Sequence, residues 1–426
     1  MRTKRFEWEG AAATATALRS WAFQSRDDSV TVAVREIGVE VFGEEDAALL
    51  RLTERYDGVL LTPEEMRVEP AEAEAALRAL GSEQRKAMEL AAANIRTVAE
   101  AQPPAPPSSV RLPQGQSVAI REVPVAAAGI YAPGGRATYP STVLMCAIPA
   151  QVAGVERIVL VSPPGENKRP SDSILAAAAL CEIDEIYAVG GAQAIFGLAY
   201  GTETIPRVNV IVGPGNIWVQ EAKRRAFGEV GIDAYAGPSE LMVVAGHDSD
   251  LEWIAFDLAA QAEHGPESPL VVAGVESHVL EDIESAVNQL VETRPSVTDA
   301  PLALVQVPDV DAAIDLANAY APEHLELAEE DADLLADRVR TAGCVFVGRY
   351  GATAFGDYAA GSNHVLPTSG AGTYAGPLGP GTFRRKLSKV EITESAAAKL
   401  APQVDALARA EGLPVHGESA MIRSRP

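Results

Sequence analysis

Between residues 117 and 348, short apolar runs rich in β-branched residues alternate with alanine-rich stretches of helical pattern, a rhythm that few architectures satisfy. The first series is SVAIREVPV (117–125), RIVLVS (157–162), EIYAV (185–189) and VNVIV (208–212). The second is ELMVVAG (240–246), PLVVAG (269–274), LALVQV (302–307) and GCVFVG (343–348). Strands separated by roughly 10 to 15 residues of helical pattern imply crossover connections and a parallel sheet. Two such series predict an α/β chain of two doubly wound, incomplete Rossmann-like parallel-sheet domains. Upstream, 46–100 reads as helical, with Leu49, Leu50, Leu52 and Tyr56 at helix spacing and Ser82 as an N-cap. The proline-rich AQPPAPPSSV (101–110) stops the last helix and reads as a linker. Residues 1–25, with Trp8, Trp21 and Phe23 as large anchors, read as an N-terminal arm. The expected division is 1–25 arm, 26–128 helical start of the first α/β domain, 129–239 second α/β domain, 240–375 remainder of the first, and 376–426 C-terminal tail.

Charge narrows the possible partners. The 426 residues carry 59 acidic against 35 basic side chains, a formal net charge of -24. An acidic surface disfavours nucleic acid and anionic membranes, which bind through clustered cations. It also suggests a salt-rich cytoplasm, where screening removes the self-repulsion of the shell. Cys146, Cys181 and Cys344 form no CxxC pair and read as core thiols. MRTKRFEWEG lacks the apolar core of a secretory signal, and no stretch reaches ~18 uninterrupted apolar residues. A cytoplasmic location is expected.

Three glycine-rich stretches close strands of the first series: YAPGGRATYP (131–140), VGGAQAIFG (189–197) and VGPGNIWV (212–219). Each alone fits an ordinary tight turn as well as a phosphate cradle. Three at the carboxyl ends of one sheet point to a nucleotide cleft. Only six histidines occur. His247 and His278 sit among acidic, loop-like residues and read as solvated. Glu323 and His324 are adjacent in APEHLE (321–326), where a carboxylate and an imidazole together cover most general-base work; the pair alone fits two solvated residues at an element end better. His264 closes AAQAEH, with Gln261 on the same helical face; Asp357 and His364 share GDYAAGSNH, and Glu411 and His416 share EGLPVH. One amide, one carboxylate and up to three imidazoles suit a borderline ion such as zinc; their separation in sequence keeps spacing alone from showing this, and Gln261 with His264 alone fits a helix end with a histidine near its dipole better.

The strings GPGN (213–216), AGPSE (236–240), QAEH (261–264), APEHLE (321–326), GDYAAGSNHVLPT (356–368) and EGLPVH (411–416), in this order, resemble the L-histidinol dehydrogenase family. The resemblance runs from about 131 to 416. It implies a zinc enzyme that uses NAD to oxidise L-histidinol to L-histidine through the aldehyde, at the end of histidine biosynthesis. Carried over by position, it implies zinc ligands Gln261, His264, Asp357 and His416, the last reaching across a homodimer interface through the tail. It implies Glu323 and His324 as the base pair, with Ser239, His364 and Glu411 at the substrate alongside the ligands and His324. Tyr131, Gln193 and Asn216 would line the NAD cleft. Two departures touch no implied ligand: Gly265 stands where an aspartate is usual, and Thr382 precedes Phe383 where an acidic residue is common. A relative acting on another small hydroxy compound, and a non-catalytic zinc-binding protein, are the rival readings.

Overall fold

The central strands of the parallel sheets are marked by burial: LMVVA and LVVAG are covered at every position and RIVLVS at its last four, as strands with helices on both faces must be. The computed structural model describes residues 1–22, 28–134, 138–329 and 331–424. In spatial order, one parallel sheet holds β1 (Arg2–Phe6), β12 (Pro301–Gln306), β11 (Leu270–Gly274), β10 (Leu241–Ala245), β13 (His324–Leu327) and β14 (Cys344–Val347). A second holds β2 (Arg67–Val68), β7 (Glu185–Ala188), β6 (Arg157–Ser162), β5 (Ala127–Tyr131), β8 (Val210–Val212) and β9 (Gly231–Ile232), with only β2 antiparallel. A third, antiparallel sheet joins β15 (Arg384–Glu391), β4 (Ser117–Pro124) and β3 (Ser108–Arg111). The α/β class with parallel-sheet domains and a helical tail is therefore as expected.

The chain forms two compact units. One comprises Met1–Gln102 and Ala126–Thr382 and contains both parallel sheets; the other comprises Pro103–Val125 and Phe383–Pro426. In the second unit the antiparallel sheet accompanies the helices Glu394–Ala410 and Pro414–Met421.

Several local expectations change. SVAIREVPV is not a strand of a parallel sheet: its half-exposed pattern belongs to β4, and the buried AAGIY of β5 opens the second sheet instead. Small residues hide AAGIY from a hydrophobicity scan, yet allow close packing. At Gly129, a Cβ would lie 2.9 Å from Leu198. The 26–128 segment divides as well. β2 joins the sheet of 129–239, and Pro103–Val125, including part of the proline-rich stretch, belongs to the second unit. Gly81, not Ser82, caps the helix Ser82–Glu100. The N-terminal stretch packs on the first sheet: β1 pairs with β12, and the helix Ala11–Ala22 buries Thr14, Ala15 and Leu18. Trp8 and Trp21 pack against the same core, and Phe23 lies outside the described residues.

Each parallel sheet has one point where the chain reverses its direction of spread. In the second sheet β5, β6 and β7 step outward and β8 returns beside β5; in the first, β10, β11 and β12 step outward and β13 returns beside β10.

Candidate active site

The backbone around Glu323 and His324 is bonded on both sides. The helix Val310–Tyr320 ends at Ala321 in the left-handed region (φ 50, ψ 64), an uncommon conformation for a residue with a side chain. Arg19 holds this turn, donating from Nη2 to the carbonyls of Tyr320 and Ala321. The amides of Gly343 and Cys344 donate to the carbonyls of Pro322 and Glu323 at 2.9 and 2.8 Å, and the His324 amide donates to the Glu240 carbonyl at 3.2 Å. His324 pairs in register with Leu241, so the two polar residues stand at the amino edge of β13, beside Ser239 and Glu240. Both are buried, at 5 % and 2 % exposure, which removes the reading of a solvated element end.

From Gln261 the side chains form one continuous line. Gln261 Nε2 donates to Ser239 Oγ at 2.7 Å, and Ser239 Oγ donates to Glu323 Oε2 at 2.6 Å. The Glu240 amide donates to the same oxygen at 2.9 Å, and His324 Nδ1 stands 3.4 Å from it. His324 Nδ1 also lies 3.1 Å from the Glu240 carbonyl; a carbonyl only accepts, so Nδ1 carries a proton, and Nε2 is the ring atom that gains or releases the second one. Nε2 lies 3.7 Å from Asp357 Oδ1. Burial alone would lower the His324 pKa, but Glu323 and Asp357 outweigh it and hold the imidazole well above its ordinary value. Burial likewise pushes Asp357 upward, and His324, with help from His364 and His264, brings it below the usual carboxylate range.

A second anchor fixes Asp357 and His364. His364 Nδ1 faces the Asp357 carbonyl at 3.2 Å, which leaves Nε2 to accept from Thr142 Oγ1 at 3.2 Å. Thr142 lies in the first turn of the helix Pro140–Ala153, which follows β5. That helix has a proline at 149, so the Met145 carbonyl lacks its helical donor. Asn363 Nδ2 takes the vacated place, donating to Met145 O at 2.6 Å. A helix defect in one sheet's layer thereby docks the loop that carries His364 and follows the short helix Thr353–Tyr358, which carries Asp357. Sequence reasoning passed over Thr142, Asn363 and Glu240; for Asn363 the available clue was Pro149 inside a stretch of helical pattern.

The three residues read as lining a nucleotide cleft gather at the carboxyl ends of β5, β7 and β8. The Gly191 amide donates to the buried Tyr131 hydroxyl at 3.2 Å, and burial first of all pushes that phenol up to about 12. Gly213 approaches so closely that a Cβ would lie 2.2 Å from the Tyr131 carbonyl oxygen. Both backbone groups of Gly213 are clamped: its amide donates to Asp233 Oδ2 at 2.8 Å, and its carbonyl accepts from the buried Lys223 at 2.9 Å, the two clamping side chains being themselves paired. Gln193 is 1 % exposed, and its Nε2 has no hydrogen-bond partner among the described residues. Asn216 is exposed and caps the helix Ile217–Ala226, accepting from Trp218 and Val219 at 3.1 Å each. Those two amides are occupied, so this helix end is already capped. A reversal point with close-approach glycines and an orphaned buried amide fits a dinucleotide.

The candidate metal donors are less closed. Gln261 is buried with its nitrogen engaged by Ser239, which leaves the oxygen as the end able to bind a cation; His264 lies exposed just beyond the helix Leu251–Ala262. No group of three or more His, Cys, Asp or Glu among the described residues is gathered tightly enough to hold a metal. An amide oxygen, an imidazole and a carboxylate suit zinc in kind and fall one donor short of four. Glu411 and His416 belong to the second unit, both exposed.

Residues 22–424 match the histidinol dehydrogenase family. The histidinol dehydrogenase of Synechococcus sp. is 43% identical over 412 residues, covering 94% of each chain. That of Thermosynechococcus vestitus is 45% identical over 388 residues, covering 89% of this chain and 90% of its own. The crystal structure of histidinol dehydrogenase from Elizabethkingia anophelis superposes with a TM-score of 0.89 at 32% identity, covering 99% of this chain and 98% of that one. With matches of this extent in both sequence and fold, the chain belongs to the histidinol dehydrogenase family of oxidoreductases acting on CH–OH groups.

Proposed function

We propose that the protein is a zinc- and NAD-dependent histidinol dehydrogenase, oxidising L-histidinol to L-histidine through L-histidinaldehyde with two NAD per turnover. The observation that carries this reading is the buried line from Gln261 through Ser239, Glu323 and His324 to Asp357. Gln261, His264 and Asp357 would hold the zinc, with His416 of a second copy as fourth donor in a homodimer. Zinc, when bound, supplies charge stabilisation and orientation without changing oxidation state. NAD, when bound near Tyr131, Gln193 and Asn216, supplies the hydride acceptor. Ser239, His364 and Glu411 would join the zinc donors and His324 in contacting substrate. The enzyme would work in the cytoplasm on this small molecule.

His324 Nε2 takes the hydroxyl proton as the first hydride leaves carbon, its Nδ1–H held by the Glu240 carbonyl. Among the described residues the polar contacts of the Glu323 carboxylate fall on Oε2, so Oε1 is the oxygen available to take a proton from water as it adds to the aldehyde, while Nε2 returns its proton to the carbonyl oxygen and is free again. The resulting hydrate then loses a hydroxyl proton to Nε2 and a second hydride. Replacing His324 by Asn should slow both oxidations about 100-fold or more with zinc content unchanged. Glu323→Gln should impair oxidation of the aldehyde more than that of the alcohol, measured separately; equal losses contradict the division of labour. A fully active monomer in light scattering would contradict the shared zinc site.

A further inference from the structure

The mechanism gives no task to the Glu240 side chain, yet it is a fully buried carboxyl at the centre of the site. Its Oε2 accepts from the Tyr320 hydroxyl at 3.0 Å and pairs with Arg19 Nη1 at 3.5 Å; its Oε1 accepts from the Ser369 amide at 2.8 Å. The backbone of the same residue touches both bases, its amide on Glu323 Oε2 and its carbonyl on His324 Nδ1. Arg19 binds the Tyr320 and Ala321 carbonyls as well, and its guanidinium lies 4.1 Å from the Tyr320 ring centroid. One arginine thus secures the left-handed turn before Glu323 and the carboxyl beside it.

We infer that Glu240, locked by Arg19 and Tyr320, is the positioning residue for Glu323 and His324, and that the N-terminal helix Ala11–Ala22 is through Arg19 a working part of the active site. The inference rests on the proposed roles of Glu323 and His324. Its chemistry is the fixing of a proton position: a Glu240 carbonyl held in place keeps a proton on Nδ1, so that Nε2 is the nitrogen that exchanges one.

The test uses the full-length enzyme with Arg19→Met, Arg19→Lys, Glu240→Gln and Tyr320→Phe. Steady-state kinetics with histidinol and NAD are combined with NMR of the hydrogen-bonded imidazole N–H, assigned by its loss in His324→Asn. Arg19→Met and Glu240→Gln should lower kcat by about 10- to 100-fold with KM nearly constant, and should shift or abolish the His324 N–H signal. Arg19→Lys, which keeps charge opposite Glu240, should recover part of kcat. Should Arg19→Met not fold, Tyr320→Phe, which removes one hydroxyl, carries the test in the same direction with a smaller loss. Values of kcat within about twofold of the parent, or losses that track a lowered melting temperature while the N–H signal stays put, overturn the inference. If the parent enzyme does not oxidise histidinol, the functional reading fails, and the N–H signal alone decides the positioning.

Discussion

Glu240 has a measurable signature at the scale of one residue. Burial first, opposed by Arg19 and reinforced by Glu323, pushes its carboxyl from 4.5 up to about 7, with the Tyr320 hydroxyl and the Ser369 amide its remaining polar neighbours. The folded state therefore binds this proton more tightly than the unfolded chain. Its contribution to stability is complete below about pH 4.5 and is lost as pH rises through about 7, a change on the order of 3 kcal/mol. Chemical unfolding of Glu240→Gln should show a flatter pH dependence than the parent between these limits; parallel curves would contradict the assignment. Residue-scale chemistry was partly legible in the sequence. Glu323 and His324 announced themselves by adjacency in a string shared with a known family. Glu240 did not, because nothing in AGPSE shows that its last side chain faces an arginine more than 200 residues earlier. Asn216 was read as a cleft residue, and its position also makes it a helix cap.

At the scale of elements, the long-range tie between Asn363 and Met145 is the informative one. Asn363→Ala leaves a buried carbonyl without its donor, a cost of about 1–3 kcal/mol, and loosens the loop that carries His364 just beyond the helix of Asp357. Thermal unfolding should fall accordingly and KM for histidinol should rise; an unchanged KM would show that the loop is held by other contacts, His364 to Thr142 first among them. Elements whose strands are continuously apolar, such as RIVLVS and LVVAG, were readable because both faces are buried. AAGIY was not, since its packing depends on smallness rather than on apolar area. RTKRF was equally opaque: it is an edge strand, where charge is tolerated and protects against stray pairing.

Over the whole molecule, pairing between segments far apart in sequence lies beyond periodicity. β4 and β15 join residues some 260 positions apart into a separate unit, which no local pattern signals. The net charge of -24 is a property of the same scale. If the acidic shell is an adaptation to salt, melting temperature should rise steeply from dilute buffer to about 1 M salt as the Debye length shrinks to ~3 Å; a flat series contradicts it. No described helix is long and apolar enough to cross a membrane. In the proposed reaction hydride leaves toward the cluster at the carboxyl edge of the second sheet and protons toward the one at the amino edge of the first. That reaction has a fixed stoichiometry. Exhaustive turnover of a known quantity of L-histidinol with excess NAD, followed at the NADH absorbance with and without prior chelation, should yield two NADH per histidinol and none after chelation, restored by zinc. A yield of one NADH, or full activity in the stripped enzyme, would contradict the proposed function.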